Sequence, residues 1–494
     1  MTTQVNDYQH CRTDTLQHPT MQVYSAGNFA EIAPQRLSPM SWSLVGRPME
    51  LGSRLFVGDI LDNPSWATGS NYVFTGYFSC RPYHNLTAYC YVAEQVDLLT
   101  PVDITAAFFE GIEPPRSGLG AESGRIKRRR SSVRMMRELV SLRPRLMELE
   151  QRVFGFEHDV DAAVTTDADW RIGELAAAGN ALLERAWHLH IVSSSGAVAA
   201  EVLQRKVVGR LAGKGIAMAN WLKEPAELPW GRLFALSSVE NGPGRFVSEP
   251  FYEIADTALP WADYAMTPIR PPATSDREFH DVSPREALVG MYDSARGRAI
   301  DASVLLLGDV MALREYSKSL CMRILHAHRR FVPRLAALRG VDDADWPYLS
   351  MAELRNVVPG KEEIERRRVS CEEALGVDMP DYLDLAPGAS QAHQPRRVPR
   401  GVSAGICDGV AIEIDEIPEQ PGAVLVCESA DANIIPMLPF IGAVVTARGS
   451  QYSHVAIICR ELGVPAVVSH PIARDIKSGQ RVYVNGDSGE VRIL

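Results

Sequence analysis

The sequence predicts a multi-domain α+β protein in which a large, mainly helical domain (1–386) precedes a small α/β domain (400–494). Three observations lead to this prediction. A chain of 494 residues exceeds one ordinary domain, since domains typically contain about 150 residues. The hydrophobic pattern has helical spacing in the first part and changes to short apolar runs in the last. Residues 387–399 are rich in proline, glycine and polar side chains, and we expect them to form a linker.

Two long helical patterns dominate the first part. Apolar residues spaced by three and four follow Ser132 and predict an amphipathic helix, which Pro144 should kink or divide. A second pattern runs from about 294 to 338 and ends at Gly340, where a glycine can cap the helix. A few short strands are predicted around 51–96, where β-branched, aromatic and turn residues occur together.

Five short apolar runs after Arg400 predict strands, because turn residues separate them. The runs are 409–414, 423–427, 441–446, 466–469 and 480–484. One helical stretch, 453–462, follows the third run and ends at Gly463. Small strands with one helix among them predict a compact α/β module.

Composition and charge exclude several classes of protein. With 46% hydrophobic and 23% charged residues, the chain is neither largely disordered nor collagen-like. A net charge of -10 argues against nucleic acid as the main partner. No uncharged apolar run approaches the ~20 residues that span a bilayer, and no secretory signal is visible. Eight scattered cysteines without a CxxC pair fit reduced thiols. We therefore expect a cytoplasmic protein with no membrane partner.

One segment combines residues that can carry chemistry. A strand ends at Thr446, the chain turns at Gly449, and Ser453 is placed to cap a helix. His454 then occupies the first helical position, where unsatisfied N–H groups and the positive helix end favour an anion. A neutral imidazole there is a competent nucleophile. A polar helix-start residue without a chemical role is the alternative, and it is the more common one on these features alone.

Segment 446–468 resembles the signature of the phosphohistidine swivelling (mobile) domain of phosphoenolpyruvate-utilising enzymes, G-G-x-x-S-H-x-A-I-x-A-R-E-x-G-I-P-A-V-V. The similarity extends to 400–405 and 479–491, and so spans the whole C-terminal module. It implies that His454 is transiently phosphorylated. The loop and helix start around it would consist of Thr446, Gly449, Ser450 and Ser453. Three residues depart from the pattern: Ser450 replaces the second glycine, Cys459 an alanine and Val464 an isoleucine.

The first part is similar, in matching order, to segments of the central domain of rifampin phosphotransferase and its relatives. These segments are 37–44, 81–86, 242–245, 314–317 and 346–354, and the histidine of the family's G-H-R-G string is missing. The resemblance implies a helical domain that binds the acceptor substrate. The candidate substrate contacts are Arg81, Arg245 and Arg314, with Glu253 as general base.

No segment resembles the ATP-grasp domain that charges the histidine in those enzymes, and residues 1–36 are too few to hold it. A phosphoenolpyruvate-binding barrel would need about 250 residues more. The sequence therefore predicts the acceptor and swivel parts of a split enzyme. A separate ATP-grasp subunit would bind ATP and Mg²⁺, and we expect this chain to bind no cofactor and no metal. His188 and His190, two positions apart on a helix, make a poor metal pair.

The predicted function is a phosphotransferase component that carries a phosphoryl group on His454 and transfers it to a small-molecule hydroxyl. The transfer could be an end in itself, or it could activate the hydroxyl for elimination or condensation in a biosynthetic pathway. The alternative is a catalytically idle binding or regulatory subunit that retains the swivel fold. The acceptor's identity remains open.

Overall fold

The computed structural model describes most of the helical part and of the C-terminal module. The described residues are 22–27, 29, 36–68, 72–109, 112–115, 124–166, 169–212, 294–377, 379–385, 399–414, 416, 421–428, 434, 437, 438, 440–450, 453, 456, 459, 460 and 462–494. The backbone alone is described for 67, 68, 169, 200, 201, 203–212, 294–309, 311, 312 and 315. The predicted linker lies outside the described residues except for Pro399.

The first part is mainly helical, as predicted. Its helices are α1 (Pro39–Leu61), α2 (Ser65–Thr68), α3 (Leu86–Glu94), α4 (Pro101–Phe108), α5 (Arg125–Val140), α6 (Leu142–Thr165), α7 (Asp169–Ala212), α8 (Ser294–Leu338), α9 (Met351–Arg355) and α10 (Lys361–Leu375). The long helix α7 packs against α1, α6 and α8, so it lies at the centre of the bundle. Its apolar side chains, such as Leu183 and Val192, are fully buried there.

Both long helical patterns form helices as predicted. The first is divided at Ser141, where α5 ends and α6 begins. Pro144 therefore lies in the first turn of α6, where its missing N–H costs no hydrogen bond. The second pattern forms α8, and Gly340 follows its end with a φ of +69°. That left-handed conformation is one that glycine adopts without strain.

The strand prediction for 51–96 is only partly right. Residues up to Leu61 continue α1, and the strands are confined to β2 (Thr75–Phe78) and β3 (Arg81–Asn85), which form a hairpin. Ser79 and Cys80 turn this hairpin with φ of 47° and 62°, the positive values that a type I′ turn requires. Two further strands, β1 (Val23–Ser25) and β4 (Tyr382–Asp384), complete a sheet in the order β2-β3-β1-β4. The sheet thus joins both ends of the helical part.

The C-terminal module is a seven-stranded mixed sheet, and all five predicted runs form strands in it. The strands are β5 (Arg400–Ser403), β6 (Ile406–Ile412), β7 (Ala423–Cys427), β8 (Ile441–Thr446), β9 (Ala466–Val468), β10 (Arg481–Asn485) and β11 (Glu490–Ile493), in the order β11-β10-β6-β7-β8-β9-β5. Strands β6 to β9 are parallel neighbours, and the outer pairs are antiparallel.

The module's sheet curls so that its two sides approach each other. A Cβ on Gly401 of β5 would lie 2.1 Å from the carbonyl oxygen of Gly486, so only glycine fits there. The Gly486 N–H also donates to the Gly405 carbonyl at 2.8 Å. Among the described helices of the chain, none combines the length and the apolar character needed to cross a membrane.

Candidate functional site

The loop that follows β8 is held at the carboxyl ends of three parallel strands. The N–H groups of Ala447 and Arg448 donate to the carbonyls of Cys427 and Glu428, at 3.0 and 2.8 Å. On the other side, the His470 N–H donates to the Thr446 carbonyl at 3.0 Å. This edge is where open parallel sheets commonly bind ligands, because loops and helix starts converge there.

The turn in this loop requires a glycine. Gly449 has a φ of +142°, and a Cβ on it would lie 3.3 Å from Thr446 Oγ1 and from the Val468 side chain. The Ser469 hydroxyl donates to the Gly449 carbonyl at 2.6 Å and fixes the turn. Ser450, which stands where the signature has its second glycine, is buried and has no positive φ. A serine therefore fits this position without strain.

The loop leads to a capped helix start. The Ser453 hydroxyl accepts the Ala456 N–H at 3.3 Å, the geometry of an N-cap, as the sequence predicts. The helix ends at Gly463, with a φ of +66° and a Val464 N–H···O=C Cys459 bond of 2.9 Å. His454 lies outside the described residues. A capped helix start is a setting that favours an anion such as a phosphoryl group.

The Arg460 side chain is bonded to its own helix. Its Nε donates to the Ala456 carbonyl one turn earlier, at 2.9 Å, so the side chain lies along its own helix. Cys459, which replaces the alanine of the signature, is fully buried in the module's core. Burial raises the pKa of its thiol to about 12, which keeps the sulfur protonated and unreactive.

In the part of the chain that the structure describes, the carboxylate of Asp381 connects this loop to the helical part. Asp381 Oδ1 lies 2.5 Å from a guanidinium nitrogen of Arg448 in the loop. The same oxygen accepts a hydrogen bond of 2.6 Å from Arg81 at the start of β3. All three side chains are about four-fifths buried (exposed fractions of 17 to 21%), so solvent screens the contact only partly. We refer to Arg81, Asp381 and Arg448 as the docking triad.

A third arginine strengthens the positive charge beside the docking triad. Arg36 donates to the carbonyls of Ser79 and Val377, at 2.7 and 2.5 Å, and it lowers the pKa that burial raises at Tyr83. Arg81 also donates to the Met379 carbonyl, and its guanidinium lies 5.6 Å from the centre of the Tyr83 ring. Among these described side chains the arginines outnumber the carboxylates, an arrangement suited to a phosphoryl group.

A second group of polar side chains lies inside the bundle, where α7 and α8 pack together. The bundle polar cluster consists of His190, Ser193 and Ser194 from α7, and Arg314 and Ser317 from α8. All five are buried, with at most 8% of any residue exposed. His84, at the far end of β3 from Arg81, contributes to the electrostatic environment of His190. At about 3.3 Å per residue, β3 extends roughly 10 Å between Arg81 and His84.

The structure separates the candidate substrate residues. Arg81 belongs to the docking triad and Arg314 to the bundle polar cluster, while Arg245, Glu253 and His454 lie outside the described residues. Asp381, and His190 in any role other than metal binding, could not be recognised from the sequence, because a single acidic or histidine residue carries no pattern of its own. Arg448 directly precedes the glycine of the signature. That position in the motif was the one feature of the sequence that could have indicated a role for Arg448.

Two other features are better explained by packing than by chemistry. His188, Asp59 and Glu138 bring ligand atoms within 4.8 Å of one another, but Arg145 is already bonded to Glu138 at 2.5 Å. Burial, Arg145 and Arg185 together lower the pKa of His188 to about 4. Two arginines thus offset the two carboxylates, as in an ion-pair network.

A cavity between α1, α3, α4, α5 and α7 is lined mainly by apolar side chains. The polar residues that line it are Ser53, Tyr89 and Ser195.

Comparisons with known proteins identify the C-terminal part. A family model described as PEP-utilising enzyme, mobile domain, matches residues 419–489. The chain is similar to a rifampicin phosphotransferase of a Streptomyces species, with 30% identity over 258 residues, which are 45% of this chain and 29% of that protein. It is also similar to phosphoenolpyruvate synthases of Pyrococcus furiosus (32% over 160 residues, 30% of this chain and 17% of the synthase) and Aeropyrum pernix (38% over 100 residues, 19% and 12%).

These matches confirm the resemblance that the motifs indicate, both to the mobile domain of phosphoenolpyruvate-utilising enzymes and to rifampin phosphotransferase. The aligned part of the chain covers less than a third of these relatives' length, at most 29%. The relatives' names are those of phosphoryl-transferring enzymes, and the site at the end of β8 has a capped helix start, a feature that favours anions.

Proposed function

We propose that this chain carries a phosphoryl group on His454 and delivers it to a hydroxyl of a small molecule held by the helical part. A separate ATP-grasp subunit, with ATP and Mg²⁺, would charge the histidine. The observation that carries the proposal is the docking triad, in which the loop of the mobile domain contacts Arg81 of the helical part through Asp381. The match to the mobile-domain family supports the identity of the carrier residue.

The chemistry divides one long transfer into two local steps. In the first, a ring nitrogen of His454 takes the phosphoryl group from the donor. In the second, the acceptor oxygen attacks phosphorus and the histidine leaves. Phosphoryl transfer depends mainly on positioning and on stabilising negative charge, which N–H donors and arginines supply. The arginines Arg36, Arg81 and Arg448 lie where a docked loop could use them.

A two-step labelling assay tests the proposal. The purified chain is incubated with labelled ATP, Mg²⁺ and a candidate ATP-grasp partner, and label that is acid-labile and alkali-stable is measured on the protein. Unlabelled hydroxyl compounds are then added, and label is followed into small molecules. We expect label on the wild type and its loss to an acceptor. A protein that never acquires label with a partner that charges other mobile domains would contradict the proposal.

The alternative is that the chain is a binding or regulatory subunit without catalysis. It would still dock and bind a partner, but it would acquire no acid-labile label. The intact Ser453-His454 pair and the mobile-domain match favour the carrier role. A gene for an isolated ATP-grasp domain next to the gene for this chain would favour it further.

We expect the chain alone not to bind Mg-ATP at micromolar concentration. No segment of its sequence resembles a nucleotide-binding domain, and the proposal assigns ATP to the partner. Titration calorimetry of Mg-ATP into the purified chain should therefore give only heats of dilution. A dissociation constant in the micromolar range or below would contradict the assignment of ATP to a separate subunit.

The docking triad predicts a defect in the second step alone. In Asp381→Asn, one neutral amide oxygen would face two guanidinium groups, whose mutual repulsion is no longer offset. We expect delivery to an acceptor to slow by about fivefold to tenfold, the effect of losing ~1 kcal/mol in a partly buried pair. Charging of His454 should be unchanged.

Asp408→Asn is the matched control for this prediction. Asp408 pairs with Arg481 at 2.9 Å in the same module, but the pair is about half exposed (64% and 46%). Loss of this ion pair should change neither the charging of His454 nor delivery to the acceptor, because exposed ion pairs contribute little to the free energy of a contact. Faster delivery by Asp381→Asn than by the wild type would show that the docked contact restrains the transfer and would contradict the proposed role of the triad.

A further inference from the structure

The two ring nitrogens of His190 differ in their contacts inside the bundle polar cluster, since Nδ1 has a short contact and Nε2 a long one. The Nδ1 atom lies 3.0 Å from Ser317 Oγ. The Ser317 hydroxyl donates to the Arg314 carbonyl at 2.7 Å, and Ser193 Oγ lies 2.8 Å from the His190 carbonyl oxygen. Ser193 Oγ and Ser317 Oγ are 2.9 Å apart, so the two helices are bonded through these side chains.

The positions of the hydrogens follow from this arrangement. Each serine hydroxyl has one hydrogen. The shortest contact of Ser317 Oγ is with the Arg314 carbonyl at 2.7 Å, so its hydrogen is donated there, while the Ser193 hydrogen can go to the His190 carbonyl or to Ser317 Oγ. Ser317 Oγ can then only accept from the ring, so the hydrogen of the neutral imidazole is on Nδ1. Nε2 therefore carries the lone pair. Its contact among the described residues is Ser194 Oγ at 3.5 Å, the outer limit of a hydrogen bond.

The charges around His190 keep the ring neutral until negative charge arrives. Burial lowers its pKa well below the usual value, and Arg314 and Lys318 of α8 lower it further, as does His84 of β3. A backbone contact with Arg314 acts in the opposite direction but is outweighed. The same two cations would attract a phosphoryl group, whose charge would in turn favour a proton on the imidazole.

We propose that His190 is the general base that takes the proton of the acceptor hydroxyl, an inference that rests on the proposed function. The acceptor oxygen forms a bond to phosphorus, and the bond between phosphorus and the His454 ring nitrogen breaks. The electron pair of that bond stays on the His454 nitrogen. The hydroxyl proton moves to Nε2 of His190, and the Ser317 hydroxyl holds the ring through Nδ1.

A buried histidine on the neighbouring helix provides a matched control. His328 of α8 is fully buried, and its Nδ1 contacts the Ile324 carbonyl at 2.8 Å. The rings of Phe156 and Phe331 surround it at 5.8 and 5.1 Å, so its setting is apolar. Asparagine places an amide nitrogen near the position of Nδ1 and has nothing at the position of Nε2. His190→Asn and His328→Asn thus remove the same atom from two buried sites.

The experiment measures loss of label from His454 to methanol, a small hydroxyl probe. The full chain is charged with phosphoramidate, a small-molecule phosphoryl donor to histidine, and His454→Ala supplies the background. Methyl phosphate formation is then followed. We expect His190→Asn to be slower than the wild type by about 10² or more, the usual contribution of a general base. His328→Asn should stay within about threefold of the wild type, and charging should be the same in all variants.

A second variant separates positioning from folding. Ser317→Ala keeps the imidazole but removes the acceptor that holds the hydrogen on Nδ1, and we expect a decrease of about tenfold. Equal rates for wild type and His190→Asn would overturn the role of His190 and leave the proposed function standing. If His190→Asn fails to fold, an unchanged rate in Ser317→Ala overturns it instead. If methanol removes no phosphoryl group from His454 of the wild type, the proposed function is overturned, and this inference with it.

Discussion

Replacement of His454 by alanine should abolish phosphoryl transfer while the protein remains folded. Without the ring nitrogen there is no atom to carry the phosphoryl group between donor and acceptor. We expect turnover to fall by at least about 10⁴, as when an enzyme loses its nucleophile. Acid-labile label on the protein should disappear at the same time. Stability should hardly change, because the described contacts of this segment, the Ser453 cap and buried Cys459, come from other residues.

An exposed histidine elsewhere controls for nonspecific labelling. His158 lies on the solvent-facing side of α6, and His158→Ala should keep both label and turnover. Thermal melting of both variants should match the wild type within a few degrees. Turnover by His454→Ala at the wild-type rate would refute the carrier role. Loss of its cooperative melt would show that the side chain has a structural function that the capped helix start does not indicate.

Replacement of Glu50 by glutamine should cause a large loss of stability in the helical part. The Glu50 carboxylate is fully buried in α1 and accepts the N–H groups of Val73, Phe74 and Thr75 at 2.8 to 3.0 Å. It also pairs with buried Arg54 at 2.8 Å. A glutamine amide would direct N–H donors at backbone N–H groups and leave the guanidinium without a counter-charge. We expect the free energy of unfolding to decrease by about 3 kcal/mol.

Glu353→Gln is the matched control for Glu50→Gln. Glu353 also bonds to an arginine, Arg367 at 2.8 Å, and to the N–H and hydroxyl of Ser350, but 28% of its side chain is exposed. Water can replace part of the hydrogen bonding that the glutamine amide loses there. We therefore expect the free energy of unfolding to decrease by about 1 kcal/mol. Denaturant unfolding followed by circular dichroism measures both. Equal decreases in the free energy of unfolding would show that the contribution of Glu50 to stability does not depend on burial of its carboxylate.

Much of the fold could be predicted from local patterns. The apolar runs of the C-terminal module, the cap at Ser453 and the division of the first long helix near Pro144 each depend on a few neighbouring residues. The strands around 51–96 were harder, because their β-branched and aromatic residues also suit a buried helix. Strands β1 and β4, with three residues each, give too short a pattern to recognise.

The sequence by itself determined the C-terminal module: its strands, its capped helix start and the resemblance that makes His454 the candidate carrier. These depend on spacing along the chain, which is fixed before folding. Only the tertiary structure decided which distant side chains meet. Asp381 reaches Arg81 across 300 positions, and His190 reaches Ser317 across 127. Such contacts depend on how helices and sheets pack, because a lone aspartate or histidine has no periodicity that would identify its partner.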